Sequence, residues 1–366
     1  MSGLRQRLAQ IIAAAGPLTV AEYMAQCLFD PADGYYMTRE PFGAAGDFTT
    51  APEISQMFGE LVAIWLAESW TRLGKPAGVT VAEIGPGRGT LMKDVLRTLG
   101  RIAPAMLERP AALIEISPRL REVQAETLGE ASSRVEWYEN LAALPDGPLL
   151  LVGNELLDAV PMRQFVKTSS GWRERAVTLD ADGDLAFAAA ATGIEPGLLP
   201  TDAAAAPAGA IFETAPAREA VASGIGSHLA RHGGAALLID YGYEGPLLGD
   251  TLQALQEHAY ADPLADPGMA DLTSHVDFTP LLAAMRAQGL DAQLMTQGEF
   301  LLDMGLIERA GRLGSGRGRE LQERLSSEVE RLAGPEQMGT LFKAMLVGPQ
   351  GLNLPPAASR RAGGLT

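Results

Sequence analysis

The sequence predicts an α/β protein built on a doubly wound, Rossmann-like parallel sheet. Three observations carry this: short apolar runs recurring through the middle of the chain, helical stretches between them, and a glycine-rich turn after the first run. The runs are residues 79–84, 112–116, 134–138, 148–152 and 235–240. Strands covered on both faces read as continuous apolar segments rather than as alternating ones. Between them, residues 91–99 and 118–128 have helical spacing, and alternation of strand and helix produces a parallel sheet with right-handed crossovers.

The other elements follow in order. Residues 1–75 read as a helical amino-terminal cap region, broken by the loop-like GYYMTREPFGAAG at 34–46. Thr50-Ala51-Pro52-Glu53 has the form of a capping box. Behind it Ile54, Met57, Phe58, Leu61, Val62, Trp65 and Leu66 recur at helical spacing, so one helix face is expected in a core. Residues 76–350 read as the main domain, with insertions at about 162–210 and 296–335. The first insertion alternates and turns at Asp182-Gly183, predicting antiparallel hairpins. It passes into an Ala/Pro/Gly-rich stretch at 188–210, expected to be a mobile loop. Residues 299–332 predict a charged helical segment before a last strand at 339–347, and 351–366 are expected to be a disordered tail.

Composition narrows the function. Hydrophobic residues make up 47% and charged residues 20%, as in a globular enzyme. A net charge of −16 with no basic stripe argues against nucleic acid as a partner. The longest apolar run, at 235–239, is too short to cross a bilayer. Arg5 and Arg7 lie in an opening segment that reads as an ordinary helix rather than a secretory signal. The expected compartment is the cytoplasm of a bacterium, or the mitochondrion if the source is a eukaryote. Cys27 is the single cysteine, so neither an intrachain disulfide nor a Cys-rich zinc site can form.

The most informative stretch is VAEIGPGRGT at 81–90. A strand runs into Gly85, Gly87 and Gly89 and a helix follows, so a ligand can lie against the backbone at the carboxyl end of the sheet. A dinucleotide fingerprint would need glycine where Thr90 stands, and Pro86 removes a donor that a phosphate would use. Glu83 before the turn and Glu115 after the second strand repel phosphate but suit an ammonium, a sulfonium and a ribose diol. S-adenosylmethionine has those groups and no phosphate. The rival reading, an NAD-dependent oxidoreductase, is disfavoured on the same residues.

EIGPGRGT with its acidic partner in LIEIS resembles the class I S-adenosylmethionine methyltransferases. More narrowly, the chain resembles the MidA family, which includes a mitochondrial complex I assembly factor acting as a protein-arginine methyltransferase. The blocks DGYYMTREPFGAAGDFTTAPEISQMFGELVAIW, GNELLDAVPMRQF, LLIDYGY, PGMADLTSHVDF and QMGTLFKAMLV carry the match beyond the glycine turn. The resemblance implies that Gly85, Gly87 and Gly89 line the cofactor, with Glu83 at its methionine end and Glu115 on its ribose. It places Asn140 near adenine and folds Gly46, Asp47 and Phe48 over the cofactor. The acceptor side falls to the turn after the fourth strand, with Asn154, Glu155 and Asp158. The two acids share a face if that turn is helical, and acids are what a protonated guanidinium needs. His275 is a possible proton acceptor. Asp271, His275 and Asp277 are read as an acceptor-side or loop-fixing group rather than a metal site, and His228 and His232 as surface residues. A protein acceptor, specifically a respiratory complex I subunit, is the implied partner. The alternative of an assembly scaffold that binds cofactor without turnover stays open.

Overall fold

Runs of valine, leucine and isoleucine leave neither strand face suited to water, and the computed structural model places them side by side. The structure describes residues 3–39, 49–256 and 258–356. In chain order the strands begin with β1 (Leu18–Thr19), β2 (Thr80–Ile84), β3 (Ala111–Ile114), β4 (Val135–Tyr138) and β5 (Leu149–Asn154). Then come β6 (Arg163–Thr168), β7 (Gly171–Leu179), β8 (Leu185–Gly193), β9 (Ile211–Thr214) and β10 (Gly234–Tyr243). The last are β11 (Gln253–Gln256), β12 (Ala259–Ala261), β13 (Asp271–Thr273), β14 (Val276–Asp277), β15 (Leu290–Thr296) and β16 (Phe342–Pro349).

The chain forms two compact units. One gathers Met1–Phe48, Leu157–Val221 and Glu244–Thr279; the other gathers Thr49–Leu156, Ala222–Tyr243 and Pro280–Thr366. This division differs from the expected boundary near 75. The helix Gln56–Arg72 buries Met57, Phe58, Leu61, Val62, Trp65 and Leu66 in the same core as the sheet strands, so it belongs with them.

In the sheet unit the strand order is β15-β16-β10-β5-β2-β3-β4. Neighbours from β10 to β4 are parallel, whereas β16 runs antiparallel to both β10 and β15. The chain leaves β2 towards β3 and β4, then returns to build β5 and β10 on the other side. The switch between β2 and β5 is where such sheets open a crevice at their carboxyl ends. Val81, Leu113, Leu150, Val152, Leu237 and Ile239 supply the central core.

Three local expectations are corrected here, and the helical insertion is found in finer detail. Thr50 makes no side-chain cap; a short helix, Ala51–Ile54, stops at extended Ser55, whose Oγ accepts from the Met57 N–H and starts the long helix. Glu53 turns instead to the glycine turn, where its Oε1 accepts from Thr90 Oγ1 at 2.9 Å. The helical insertion is three helices, Gln297–Asp303, Leu306–Gly314 and Arg319–Ala333, because Gly305 adopts φ +98° and Gly316 φ +68°. Residues Met338–Leu341 are helical, so the last strand starts only at Phe342. Of the tail, Leu354 is buried and the Pro355 carbonyl accepts from Trp65 Nε1 at 2.6 Å; residues 357–366 lie outside the described residues.

One ion cluster ties helices of this unit together. Buried Glu60 accepts from Arg309 Nε at 2.7 Å and Nη2 at 2.9 Å, and from Arg97 Nη2 at 3.2 Å. Arg97 also lies 2.9 Å from Asp94, whose pKa burial pushes up to about 6, aided by the Glu60 charge and opposed by Arg97. An acid raised in this way favours the fold below its ordinary value of 3.8, and that contribution is lost as pH rises through about 6. Asp94→Asn is therefore expected to flatten the fall in stability across that window. Urea midpoints measured against pH check this; parallel profiles for the two proteins would rule the shift out.

In the other unit β1-β7-β6-β9, with β8 beside β7, form an antiparallel sheet, and β12-β11-β13 form a smaller one. Leu4, Leu8, Tyr23, Met24, Cys27 and Leu28 of the amino-terminal helices pack in one core with Val177 and Leu185. The β7–β8 hairpin turns at Asp182-Gly183 as the sequence implies; Gly183 has φ +84°, and Asp180 Oδ1 accepts from the Asp182 and Asp184 N–H groups. The expected loop at 188–210 starts later, because Ala188 and Ala189 pair with Ala176 and Arg175 in the ladder. Main-chain pairing there overrides weak local preference. Further on, Ala203 is buried and its carbonyl accepts from Trp172 Nε1.

Candidate cofactor and acceptor site

The strand β2 ends at Ile84, and three glycines in left-handed conformation reverse the chain: Gly85 at φ +65°, Gly87 at +51° and Gly89 at +83°. The Gly85 N–H donates to the Ile114 carbonyl at 3.1 Å, and the Gly89 N–H donates to Pro86 at 2.7 Å. Gly89 then caps the helix Thr90–Ile102. A Cβ on Gly85 would stand 2.6 Å from Leu156 Cδ1, and one on Gly89 would stand 3.4 Å from Gln124. Leu156 and Gln124 thus brace the turn.

Both expected acids are buried. Glu83 is 2% exposed; burial drives its pKa well above the ordinary range, against a hydrogen bond from the Met92 N–H. Its Oε2 has no hydrogen-bond partner among the described residues. Glu115 follows β3, and burial raises its pKa despite bonds from the Ser117 N–H at 2.8 Å and Gln124 Nε2 at 3.2 Å. Gln124 also donates to the Gly87 carbonyl at 2.9 Å and accepts from Trp137 Nε1 at 2.8 Å. One buried amide therefore joins the glycine turn, the acid and the edge of the sheet. Ile116, 50% exposed, offers an apolar side chain next to Glu115. Asn140 is exposed and caps a short turn, its Oδ1 accepting from the Ala143 N–H at 3.1 Å. Gly46, Asp47 and Phe48 lie outside the described residues.

After β5 no helix forms, so the conditional pairing of Glu155 and Asp158 on one helical face is corrected. Glu155 has φ +52°, unusual for a side-chain-bearing residue and a form of strain that gathers at functional positions. Its Oε1 accepts from Asn154 Nδ2 at 2.9 Å and from the Ala51 N–H at 3.0 Å. Glu155 and Asn154 belong to the sheet unit, whereas Asp158 and His275 belong to the other.

In that other unit a buried arginine organises two loops. Arg218, at the start of the helix Pro216–His232, donates to the carbonyls of Val160 at 3.2 Å, His275 at 2.8 Å and Asp158 at 3.1 Å, and to Ser274 Oγ at 2.5 Å. The Tyr36 hydroxyl lies 2.8 and 3.0 Å from the two oxygens of buried Asp271. Asp277 Oδ1 accepts from the Gly245 and Thr279 N–H groups. Asp271 and Asp277 are thus committed to different partners, and among the described residues no group of three or more His, Cys, Asp or Glu is placed to hold a metal ion. The two histidines read as surface residues are half-buried: His228 Nε2 lies 3.2 Å from the Gly147 carbonyl and His232 Nε2 lies 3.3 Å from Asp146.

Gln124 and Arg218 were missed in the sequence. Gln124 occupies an apolar position, four residues from both Leu120 and Leu128 on the buried face of Pro118–Leu128, which was a readable signal. Arg218 had no local signal, because its partners come from segments far along the chain.

Residues 61–296 match the model of a family described as "Putative S-adenosyl-L-methionine-dependent methyltransferase", a span that includes the glycine turn and both acids. The chain belongs to this family. It is an S-adenosylmethionine-dependent methyltransferase, and S-adenosylmethionine is its cofactor. It is 34% identical to the Danio rerio "Protein arginine methyltransferase NDUFAF7, mitochondrial", over 92% of this chain and 85% of that protein. It is 33% identical to the Caenorhabditis elegans homologue of that name, over 95% and 87%. A crystal structure from Burkholderia thailandensis with S-adenosyl-homocysteine bound superposes with a TM-score of 0.82 at 29% identity, covering 99% of this chain and 95% of that one. The methyltransferase's own residues fit the cofactor chemically. Among the described residues nothing partners one oxygen of buried Glu83, which a cationic group would satisfy, and Glu115 can accept from a diol.

Proposed function

We propose that this methyltransferase modifies arginine side chains of a protein acceptor. The observation that carries the reading is Glu155: a half-buried acid at the carboxyl end of β5, held at φ +52°, one residue from the Leu156 side chain that abuts Gly85. The names of the relatives, protein arginine methyltransferases, support it.

When bound, the cofactor supplies an electrophilic methyl group on a sulfonium and leaves as a neutral thioether. The chain's part is to hold that molecule and to orient a nucleophile. Gly85, Gly87 and Gly89 let the backbone approach it, Glu83 takes its ammonium, and Glu115, oriented by Gln124, takes the ribose hydroxyls. Asn140 is assigned to the adenine end, and Gly46, Asp47 and Phe48, outside the described residues, are assigned to the cofactor by the family resemblance. An arginine guanidinium stays protonated at neutral pH, so its capture needs carboxylate. Glu155, steadied by Asn154 and the Ala51 N–H, supplies that charge. Asp158 and His275 are assigned to the acceptor side, Asp158 for charge and His275 for the departing proton. The acceptor is proposed to be a respiratory complex I subunit. The reaction is placed in the bacterial cytoplasm, or in the mitochondrion for a eukaryotic source. No helix among the described residues is long and apolar enough to cross a membrane.

The test uses methyl-labelled S-adenosylmethionine and a lysate of source cells lacking the gene. Labelled protein that yields methylarginine on acid hydrolysis is the expected result. Label in another residue or in small molecules would overturn the arginine reading, and no label with cofactor-loaded protein would favour a scaffold.

A further inference from the structure

The parallel ladder between β5 and β10 pairs Leu238 with Gly153 and Ile239 with Asn154. Beyond the last strand residue, the Glu155 N–H still donates to the Ile239 carbonyl at 2.9 Å. At Glu155 the chain turns out of the ladder, and the next N–H, that of Leu156, bonds to a side chain rather than a carbonyl. Asp240 meets it: its Oδ2 accepts from the Leu156 N–H at 3.1 Å, while its Oδ1 accepts from the Tyr241 N–H at 2.9 Å. Asp240 is 0% exposed, so both bonds are shielded from water.

A non-glycine residue at φ +52° persists only where its surroundings hold it there. The holding groups are the Ile239 carbonyl on the Glu155 N–H, the Ala51 N–H on the Glu155 carboxylate, and Asp240 on the following N–H. The same turn directs Leu156 against Gly85, where an added Cβ would stand 3.2 Å from Leu156 Cβ. A single buried carboxylate therefore secures the turn that carries Glu155 and braces the glycine turn. We infer that Asp240 is a positioning residue for methyl transfer, acting through the left-handed Glu155-Leu156 turn. The inference rests on the proposed acceptor role of Glu155.

Four full-length proteins test it: wild type, Asp240→Ala, Glu155→Gln and the double variant, with the isosteric Asp240→Asn as a second probe. Each is assayed for S-adenosyl-homocysteine affinity, for the initial rate of label transfer to lysate protein at saturating cofactor, and for hydrogen exchange of the Leu156 amide. In Asp240→Ala the rate is expected to fall about 100-fold with affinity kept within about 3-fold. The Leu156 amide should exchange faster, and the double variant should be no slower than Glu155→Gln alone, as expected for residues acting as a unit. Asp240→Asn keeps one acceptor oxygen and so can hold only one of the two N–H groups; it should lose rate, but less than Asp240→Ala. A full rate in both Asp240 variants, an equal loss of cofactor affinity, or unfolding of both would overturn the inference. Multiplying effects in the double variant, with Glu155→Gln slowed but still measurable, would overturn this inference alone. Full activity in Glu155→Gln would instead remove the acceptor role of Glu155, and the inference with it.

Discussion

Replacing Gly85 by alanine is expected to abolish cofactor binding, lowering S-adenosyl-homocysteine affinity by a factor of at least about 100. Two penalties coincide. At φ +65° an L side chain costs about 1–2 kcal/mol through the contact of Cβ with the backbone. The new Cβ would also stand 2.6 Å from Leu156 Cδ1, which can rotate away, and 3.2 Å from Leu156 Cβ, which moves only with the backbone that buried Asp240 holds. The glycine turn must then move, and it is the surface against which the cofactor lies. Gly100→Ala is the control. Gly100 sits in the helix Thr90–Ile102 with nothing within 4 Å of an added Cβ, and alanine there should stabilise by about 1 kcal/mol. Isothermal titration with S-adenosyl-homocysteine separates the two. Unchanged affinity in Gly85→Ala would mean that the cofactor does not depend on this turn.

The second large effect is on catalysis alone. Glu155→Gln is expected to reduce the transfer rate by about 10²–10⁴-fold while leaving cofactor affinity within about 3-fold. Glutamine fills the same volume, and its carbonyl oxygen can still accept from Asn154 Nδ2 and the Ala51 N–H, so the local turn survives. What disappears is the negative charge, and a protonated guanidinium binds carboxylate far better than it binds a neutral amide. Rates with labelled cofactor and calorimetry on the same protein check both halves. A parallel loss of cofactor affinity would place Glu155 on the cofactor instead of the acceptor.

Parts of this site were legible because their cause is local. Glycine at 85, 87 and 89 after an apolar strand can hardly serve anything but a tight reversal, and all three are left-handed. Glu83 and Glu115 stand out because acids next to buried strands need a reason. Thr50 and Glu53 misled for the opposite reason: the same four-residue pattern forms a true capping box at Thr19 and Glu22, and again at Thr296 and Glu299. At Thr50 the Glu53 side chain had a better partner in Thr90, 37 residues away. Asn140 was open between adenine contact and turn cap, and its Oδ1 does cap a turn.

The sequence by itself determined the strand runs, the glycine reversal and the acids beside it, because period, chain reversal and buried charge are properties of neighbouring residues. Tertiary structure alone decided how these are held. The left-handed turn at Glu155, the Asp240 carboxylate on the Leu156 N–H, the Gln124 amide joining Gly87 to Glu115 and the Arg218 guanidinium gathering distant carbonyls each depend on hydrogen bonds between segments remote in the chain. Such bonds leave no periodic trace in sequence, since a single polar residue meets its partner only after the strands have set the register.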